Sequence, residues 1–201
     1  MLSDNGNRTP RRRRQSPRLD QPDFHKTYLA DPQSDVEEHV MPDRVLSAEL
    51  MRQHREIAAA IECFVGKLDG GDRQPELLRA TMDALRRHIY LEETFVFPPI
   101  RKAGIMKPVF VMMHEHGQLW RTMEALTRLL ADRTGGPRFD ATCDQLLDQL
   151  HGHNFKEEPV VYLHADYDLP PPTSAQLTRF VVTGRIPDGW VCQQAGTKRG
   201  R

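Results

Sequence analysis

Two stretches of the chain place a histidine and a glutamate four positions apart, His88 with Glu92 and His153 with Glu157. Both stretches read as helix, and residues four apart on a helix lie one above the other on the same face. The face bearing His88 and Glu92 continues through Leu78, Met82 and Leu85 on one side and Phe95 and Val96 on the other, so it points inward. A buried imidazole beside a buried carboxylate is costly unless something satisfies both. A metal ion does this well. Two further histidines fall on apolar stripes: His54 lies between Leu50 and Ile57, and His116 keeps company with Met112, Met113, Leu119, Trp120 and Met123.

The same stripe test sets the other histidines aside. His114 sits about 200° round the helix from His116, which turns it outward or to a boundary. His151 lines up with Asp148 and Glu158, whereas His153 lines up with Leu146, Leu150, Glu157 and Val160. His164 lies two turns beyond Glu157 and suits the rim of a site only, and His25 and His39 fall on no apolar stripe.

An internal repeat supports this selection. His54 precedes His88 by 34 residues and His116 precedes His153 by 37, and each later histidine is followed by its glutamate. Folded as antiparallel hairpins about a pseudo-twofold, the halves would gather four imidazoles and two carboxylates at mid-bundle. Two inward carboxylates can bridge two ions and two imidazoles can cap each, a set that suits iron or manganese better than calcium or magnesium. Four histidines without a thiolate do not make a closed structural zinc site. Room remains at each ion for an oxo, hydroxo, dioxygen, peroxide or nitric oxide ligand. One histidine on an apolar face is more often a core residue than a ligand. Six such groups on four inward stripes favour a metal centre made of His54, His88, Glu92, His116, His153 and Glu157.

Four amphipathic helices must position these groups. The first is predicted from near Asp43 to a stop at Gly70 and Gly71, with Leu46, Leu50, Ile57, Ile61, Phe64, Val65 and Leu68 inward. The second runs from Pro75 to about residue 101, bent or ended by Pro98 and Pro99. The third starts near Pro108 and stops before Gly135 and Gly136, and the fourth opens near Phe139 and carries Cys143, Leu146, Leu150, Val160 and Val161 to about Ala165. The fold class is therefore all-α, an up-and-down four-helix bundle. Residues 1–42 read as a disordered basic arm and lead-in, 43–168 as the bundle, and 169–201 as a Pro-rich break, a short helix and a tail. Thr173 or Ser174 could cap that short helix, Gly184 would end it, and Trp190 offers an aromatic anchor to the bundle.

Composition narrows the function classes. Twenty-eight basic residues balance 28 acidic ones in 201, so no overall field argues for nucleic acid or an acidic membrane. The arm carries Arg8, Arg11 to Arg14 and Arg18, but a solvated tail is the favoured account of it. Cys63, Cys143 and Cys192 are odd in number and widely spaced, which points to a reducing, cytoplasmic compartment and to core or tail thiols. No apolar run approaches the roughly 18 residues of a membrane span, and no apolar segment follows the arginines as in a secretory signal.

The matching residues resemble those of the hemerythrin-like, or HHE cation-binding, domains. The elements are Met51 to Glu56 around His54, His88 to Glu93 with Phe97 and Pro98, Glu115 with His116, and His153 to Pro159 with Tyr162. The resemblance covers roughly residues 43–168. It implies a centre of two iron ions with carboxylate and oxo bridges, manganese or zinc being weaker candidates, and a role in oxygen, nitric oxide or peroxide chemistry or in iron handling. Oxygen-carrying members have a second histidine on the third helix and an aspartate five residues after the last histidine. Trp120 and Glu158 stand there in this chain, so it looks more like the bacterial branch with four histidines and two glutamates. The expected function is binding or reduction of O2, NO or peroxide, with a separate electron donor as partner if the centre turns over. The alternative is an iron-binding or gas- and redox-sensing module without turnover. Glu93 and Glu158 would then lie behind the ligands or at the surface, and Tyr90, Tyr162 and Trp120 would shape the pocket.

Overall fold

Apolar stripes at helical spacing build four long helices, and proline opens two of them where a missing N–H costs nothing. The computed structural model describes residues 46–68, 74–132 and 136–196, and every regular element within them is helical. In chain order these are α1 (Leu46–Leu68), α2 (Pro75–Leu91), a π-helical turn (Glu92–Val96), α3 (Phe97–Lys102), α4 (Met106–Ala131), α5 (Pro137–Glu157), α6 (Tyr162–Ala165) and α7 (Pro171–Thr183). The predicted arm and lead-in, the helix start near Asp43, the stops at Gly70, Gly71 and Gly135, and residues 197–201 lie outside the described residues.

Side-chain pairs fix the helix directions. His54 and Glu62 on α1 meet Glu158 and His151 at the α5 end, so α1 and α5 run antiparallel. Glu115 and Thr122 on α4 meet His153 and Gln149 on α5, again antiparallel. Glu93 and Arg86 meet His116 and Thr127 on α4, which sets α2 against α4. Neighbours in the ring α1, α2, α4, α5 therefore alternate in direction, as an up-and-down bundle requires.

The core divides into two apolar clusters. One holds Ile57, Ile61, Phe64, Met82, Leu85, Leu119, Met123, Leu146 and Leu150, and the other Leu50, Leu91, Val96, Phe97, Ile100, Val109, Met112 and Val161. Each large side chain buried this way stabilises the fold by about 1.5–3 kcal/mol. Along the chain the change from one cluster to the other falls close to each histidine of the repeat, His54, His88, His116 and His153. The polar layer sits where the two apolar layers part.

Two helices break sooner than predicted, one directly before its glutamate and one directly after. The second was expected to continue to about residue 101. It instead ends at Leu91 and passes through a π turn in which the Phe97 N–H donates to the Glu92 carbonyl. Pro98 and Pro99 have no N–H to continue an α-helical ladder, and they serve instead in the first turn of α3. The fourth helix was expected to reach Ala165 and ends at Glu157, because Pro159 interrupts the ladder; the Val161 N–H returns to the Glu157 carbonyl at 2.7 Å. This break leaves Val160 40% exposed, contrary to its predicted inward place, and turns Tyr162 fully inward.

The C-terminal segment packs back on the bundle. Neither Thr173 nor Ser174 caps α7; the helix starts at Pro171, and both of their amides donate to the Pro170 carbonyl. At the other end Arg87 donates to the carbonyls of Phe180, Val181 and Gly184, satisfying groups that a helix terminus leaves open. Gly184 is required by contact, since a Cβ there would lie 2.0 Å from the Phe180 ring. Trp190 anchors the segment as expected, edge-on to Tyr90 at 5.0 Å and to Trp120 at 5.5 Å. Among the described residues no helix is long and apolar enough to cross a membrane.

Candidate metal centre

All six residues singled out by spacing are brought together, each no more than 2% exposed. His54 and His88 from the first hairpin have ring centroids 4.6 Å apart, and His116 and His153 from the second 4.9 Å apart. Glu92 reaches both pairs. Its Oε1 lies 3.0 Å from His88 Nε2 and 3.9 Å from His54 Nε2, and its Oε2 lies 3.2 Å from His116 Nε2. Glu157 Oε2 also spans the pairs, 3.0 Å from His153 Nε2 and 3.5 Å from His54 Nε2. Two imidazole pairs thus share two carboxylates. The excluded histidines lie elsewhere: His151 is exposed and paired with Glu62, and His164 pairs with Asp168.

Every Nε2 faces this centre because every Nδ1 is held from behind. His88 Nδ1 meets Gln53 Oε1 at 2.9 Å, His116 Nδ1 meets Glu93 at 3.1 Å, His153 Nδ1 meets Glu115 at 3.3 Å, and His54 Nδ1 meets Glu158 at 3.2 Å. The partner always comes from the preceding element of the ring: α1 serves α2, the π turn serves α4, α4 serves α5, and the end of α5 serves α1. Such outer partners fix the tautomer and orientation of histidines that bind metal. Glu93 and Glu158 were expected behind the ligands or at the surface; Gln53 and Glu115 carried no expected role. Each of the four is adjacent in sequence to a site residue, a signal that could have found them.

Tyr162 enters the centre more deeply than expected. Its hydroxyl lies 2.7 Å from His54 Nε2 and 3.0 Å from His88 Nε2, and it donates to Glu92 Oε1. Tyr90 and Trp120, predicted to shape the pocket, make ring contacts with Trp190 instead. Phe97 covers one side of the site, stacked on the His116 ring at 5.3 Å.

The electrostatics are those of a site that calls for positive charge. Burial would raise the Glu92 carboxyl, yet the nearby charges of His88 and His116 hold it well below the usual range. Burial likewise opposes charging His153, but Glu157 and Glu115 prevail and raise it to about 10. Burial lowers His54 and holds the Tyr162 phenol well above its ordinary value.

Several polar atoms stay without hydrogen-bond geometry despite full burial: Glu92 Oε2, His116 Nε2 and both Glu157 oxygens. The 3.2 Å between Glu92 Oε2 and His116 Nε2 is a contact without the alignment of a hydrogen bond. Orphaned buried groups are costly, and all four belong to residues of this site. One donor atom each from His54, Glu92, His153 and Glu157 lies within 4.8 Å of all the others. Ligands about 2.1 Å from a shared ion lie at most about 4.2 Å apart, so this donor set suits a metal in type and would close on one by contracting its widest spacing by roughly 0.6 Å.

The outer contacts reach further on one side. Cys192 Sγ donates to Glu93 Oε1 at 3.2 Å and the Gln193 amide donates to Glu93 Oε2 at 3.0 Å. Burial and the Glu93 charge push the Cys192 thiol above its usual range, so it stays a protonated donor. Cys192 is thus a buried core thiol, as expected, and in addition a hydrogen-bond donor to Glu93.

The sequence matches the family model described as the hemerythrin HHE cation binding domain over residues 45–164. No curated protein and no solved structure matches the chain.

Proposed function

We propose, for a chain that belongs to the hemerythrin HHE cation-binding family, that the clustered histidines and glutamates hold two iron ions which bind or reduce O2, nitric oxide or peroxide. The observation that carries this reading is the pair of imidazole pairs spanned by Glu92 and Glu157, with carboxylate oxygens left unsatisfied between them. His54 and His88 would hold one ion and His116 and His153 the other, with the two glutamates shared. Iron at such a site supplies electrons and open positions for a small ligand. The protein's own contribution is orientation and exclusion of water. Gln53, Glu93, Glu115 and Glu158 aim the four Nε2 atoms, and side chains no more than 2% exposed keep bulk water out. Tyr162 brings a hydroxyl to the His54 and His88 side, where it can donate to a bound polar ligand.

The protein, reduced and loaded with iron, should be exposed separately to air, hydrogen peroxide and nitric oxide while its visible spectrum is followed. At least one reagent should change the spectrum within seconds to minutes. A change reversed on removing the reagent marks binding, and one that consumes excess reagent in the presence of a reductant marks turnover. A spectrum indifferent to all three contradicts the proposal. A sensing role without turnover has one observation in its favour: the C-terminal segment is hydrogen-bonded to Glu93, directly behind His116. The three free thiols fit a reducing, cytoplasmic setting for either role.

A further inference from the structure

The segment spanning residues 190–195 makes a set of contacts that converge on one carboxylate. Glu93 is 4% exposed; its Oε1 accepts from His116 Nδ1 at 3.1 Å and from the Cys192 thiol at 3.2 Å. Its Oε2 accepts from the Gln193 amide at 3.0 Å. The carboxylate is therefore clamped between the ring of a site histidine and the C-terminal segment. A contact that served only to pin a tail would not need a buried thiol and a backbone amide aimed at the group that orients His116.

The seat of this segment is specific. Arg121 donates to the Gln194 carbonyl at 2.9 Å and to the Ala195 carbonyl at 3.3 Å. Trp190 packs between Tyr90 and Trp120. Beneath Gln194 lies Gly117, the neighbour of His116 in the middle of α4. A Cβ on Gly117 would stand 2.4 Å from the Gln194 carbonyl oxygen, and this backbone can yield only by moving the segment. Glycine is a poor residue for a helix interior. Here it admits the segment.

We propose that residues 190–195 are an arm of the metal centre, with Cys192 and Gln193 as positioning groups that hold Glu93 against His116 and so set the affinity of the His116 side of the site. The inference rests on the metal-centre reading above and deepens its regulation. By reciprocity of linkage, whatever affinity the seated arm adds to the ion, the bound ion returns as retention of the arm. The arm is thus the part of the chain through which occupancy of the site becomes visible at the surface.

The test is an anaerobic titration of the full chain with iron(II) alone, reading bound iron and then the visible spectrum after air oxidation. Loss of an outer partner of a metal-bound histidine weakens metal binding by about 10–100-fold. Cys192→Ala should weaken one of the two iron equivalents by about tenfold, the low end of that range because the Gln193 amide remains. It should also shift the spectrum. Cys192→Ser keeps an O–H donor and should recover most of the affinity. Gly117→Ala, on another element and favourable to the helix itself, should reproduce the weakening by unseating Gln194. A purely structural role predicts lower melting for the variants with unchanged isotherms and spectra. Wild-type isotherms and spectra in both Cys192→Ala and Gly117→Ala would overturn the arm while leaving the metal centre standing. Failure of the wild type to take up stoichiometric iron would overturn both.

Discussion

Replacing Glu92 with glutamine should abolish stoichiometric iron binding while the bundle stays folded. Glutamine keeps the volume of the side chain, and volume-conserving changes are the best tolerated in a packed interior. It removes the charge and turns one of two oxygens into an NH2 group that cannot coordinate. Glu92 is fully buried and its two oxygens face different imidazole pairs, so one side of the site loses its donor and the other keeps only a neutral amide oxygen in place of a carboxylate. Saturation at a thousand times Kd stabilises a protein by about 4 kcal/mol. For a chain of this size that is on the order of 10 °C in melting temperature. Iron should raise the melting of the wild type by that order and leave Glu92→Gln unmoved, as read by calorimetry with and without iron.

The same substitution has a pH signature in the metal-free protein. The folded Glu92 carboxyl is held below its ordinary value of 4.5 by His88 and His116, against the burial that would raise it. A carboxyl depressed on folding contributes stability that is present above its unfolded pKa and lost as pH falls through the folded one. The wild type should therefore lose melting temperature more steeply than Glu92→Gln as pH is lowered from about 5. Parallel acid profiles would contradict the assigned charge state.

Tyr162→Phe should weaken the metal-free protein and tighten iron binding. The hydroxyl lies 2.7 Å and 3.0 Å from the Nε2 atoms of His54 and His88 and donates to Glu92. Deleting it leaves buried polar atoms unpaired, a cost of about 1–3 kcal/mol. At roughly 2–4 °C per kcal/mol the melting of the metal-free variant should fall by several degrees. An ion at the site uses the same Nε2 atoms, so the iron-loaded form loses less. The difference appears as an affinity gain of up to about tenfold, since 1.4 kcal/mol is one factor of ten. A weaker iron affinity in Tyr162→Phe would mean instead that the hydroxyl is itself a ligand.

The parts of this molecule that follow from periodicity were legible before the structure. Stripe position separated His116 from His114 and His153 from His151, because burial of one helix face is set by spacing alone. The breaks at Glu92 and after Glu157 were not placed, although Pro98 and Pro99 were read as bending or ending the second helix and Pro159 follows close on Glu157. A hydropathy pattern tells which face turns inward and says nothing of the backbone hydrogen-bond pitch, so a π turn is invisible to it. Gln53 and Glu115 escaped for another reason, and the histidine partners of Glu93 and Glu158, expected behind the ligands or at the surface, went unassigned for the same one: each serves a histidine on a different helix, and a helix-by-helix survey cannot pair them. Cys192 meets Glu93 across 99 positions of sequence, a contact brought about by the docking of the segment through Trp190 and Arg121.

The most direct test of the account is the metal content of protein purified under low oxygen, with iron, zinc and manganese measured against chain concentration. About two irons per chain in the wild type, and close to none in Glu92→Gln, is the expected result. One zinc per chain, or no metal in either protein after anaerobic loading with iron(II), would contradict it and leave a helical bundle with buried histidines.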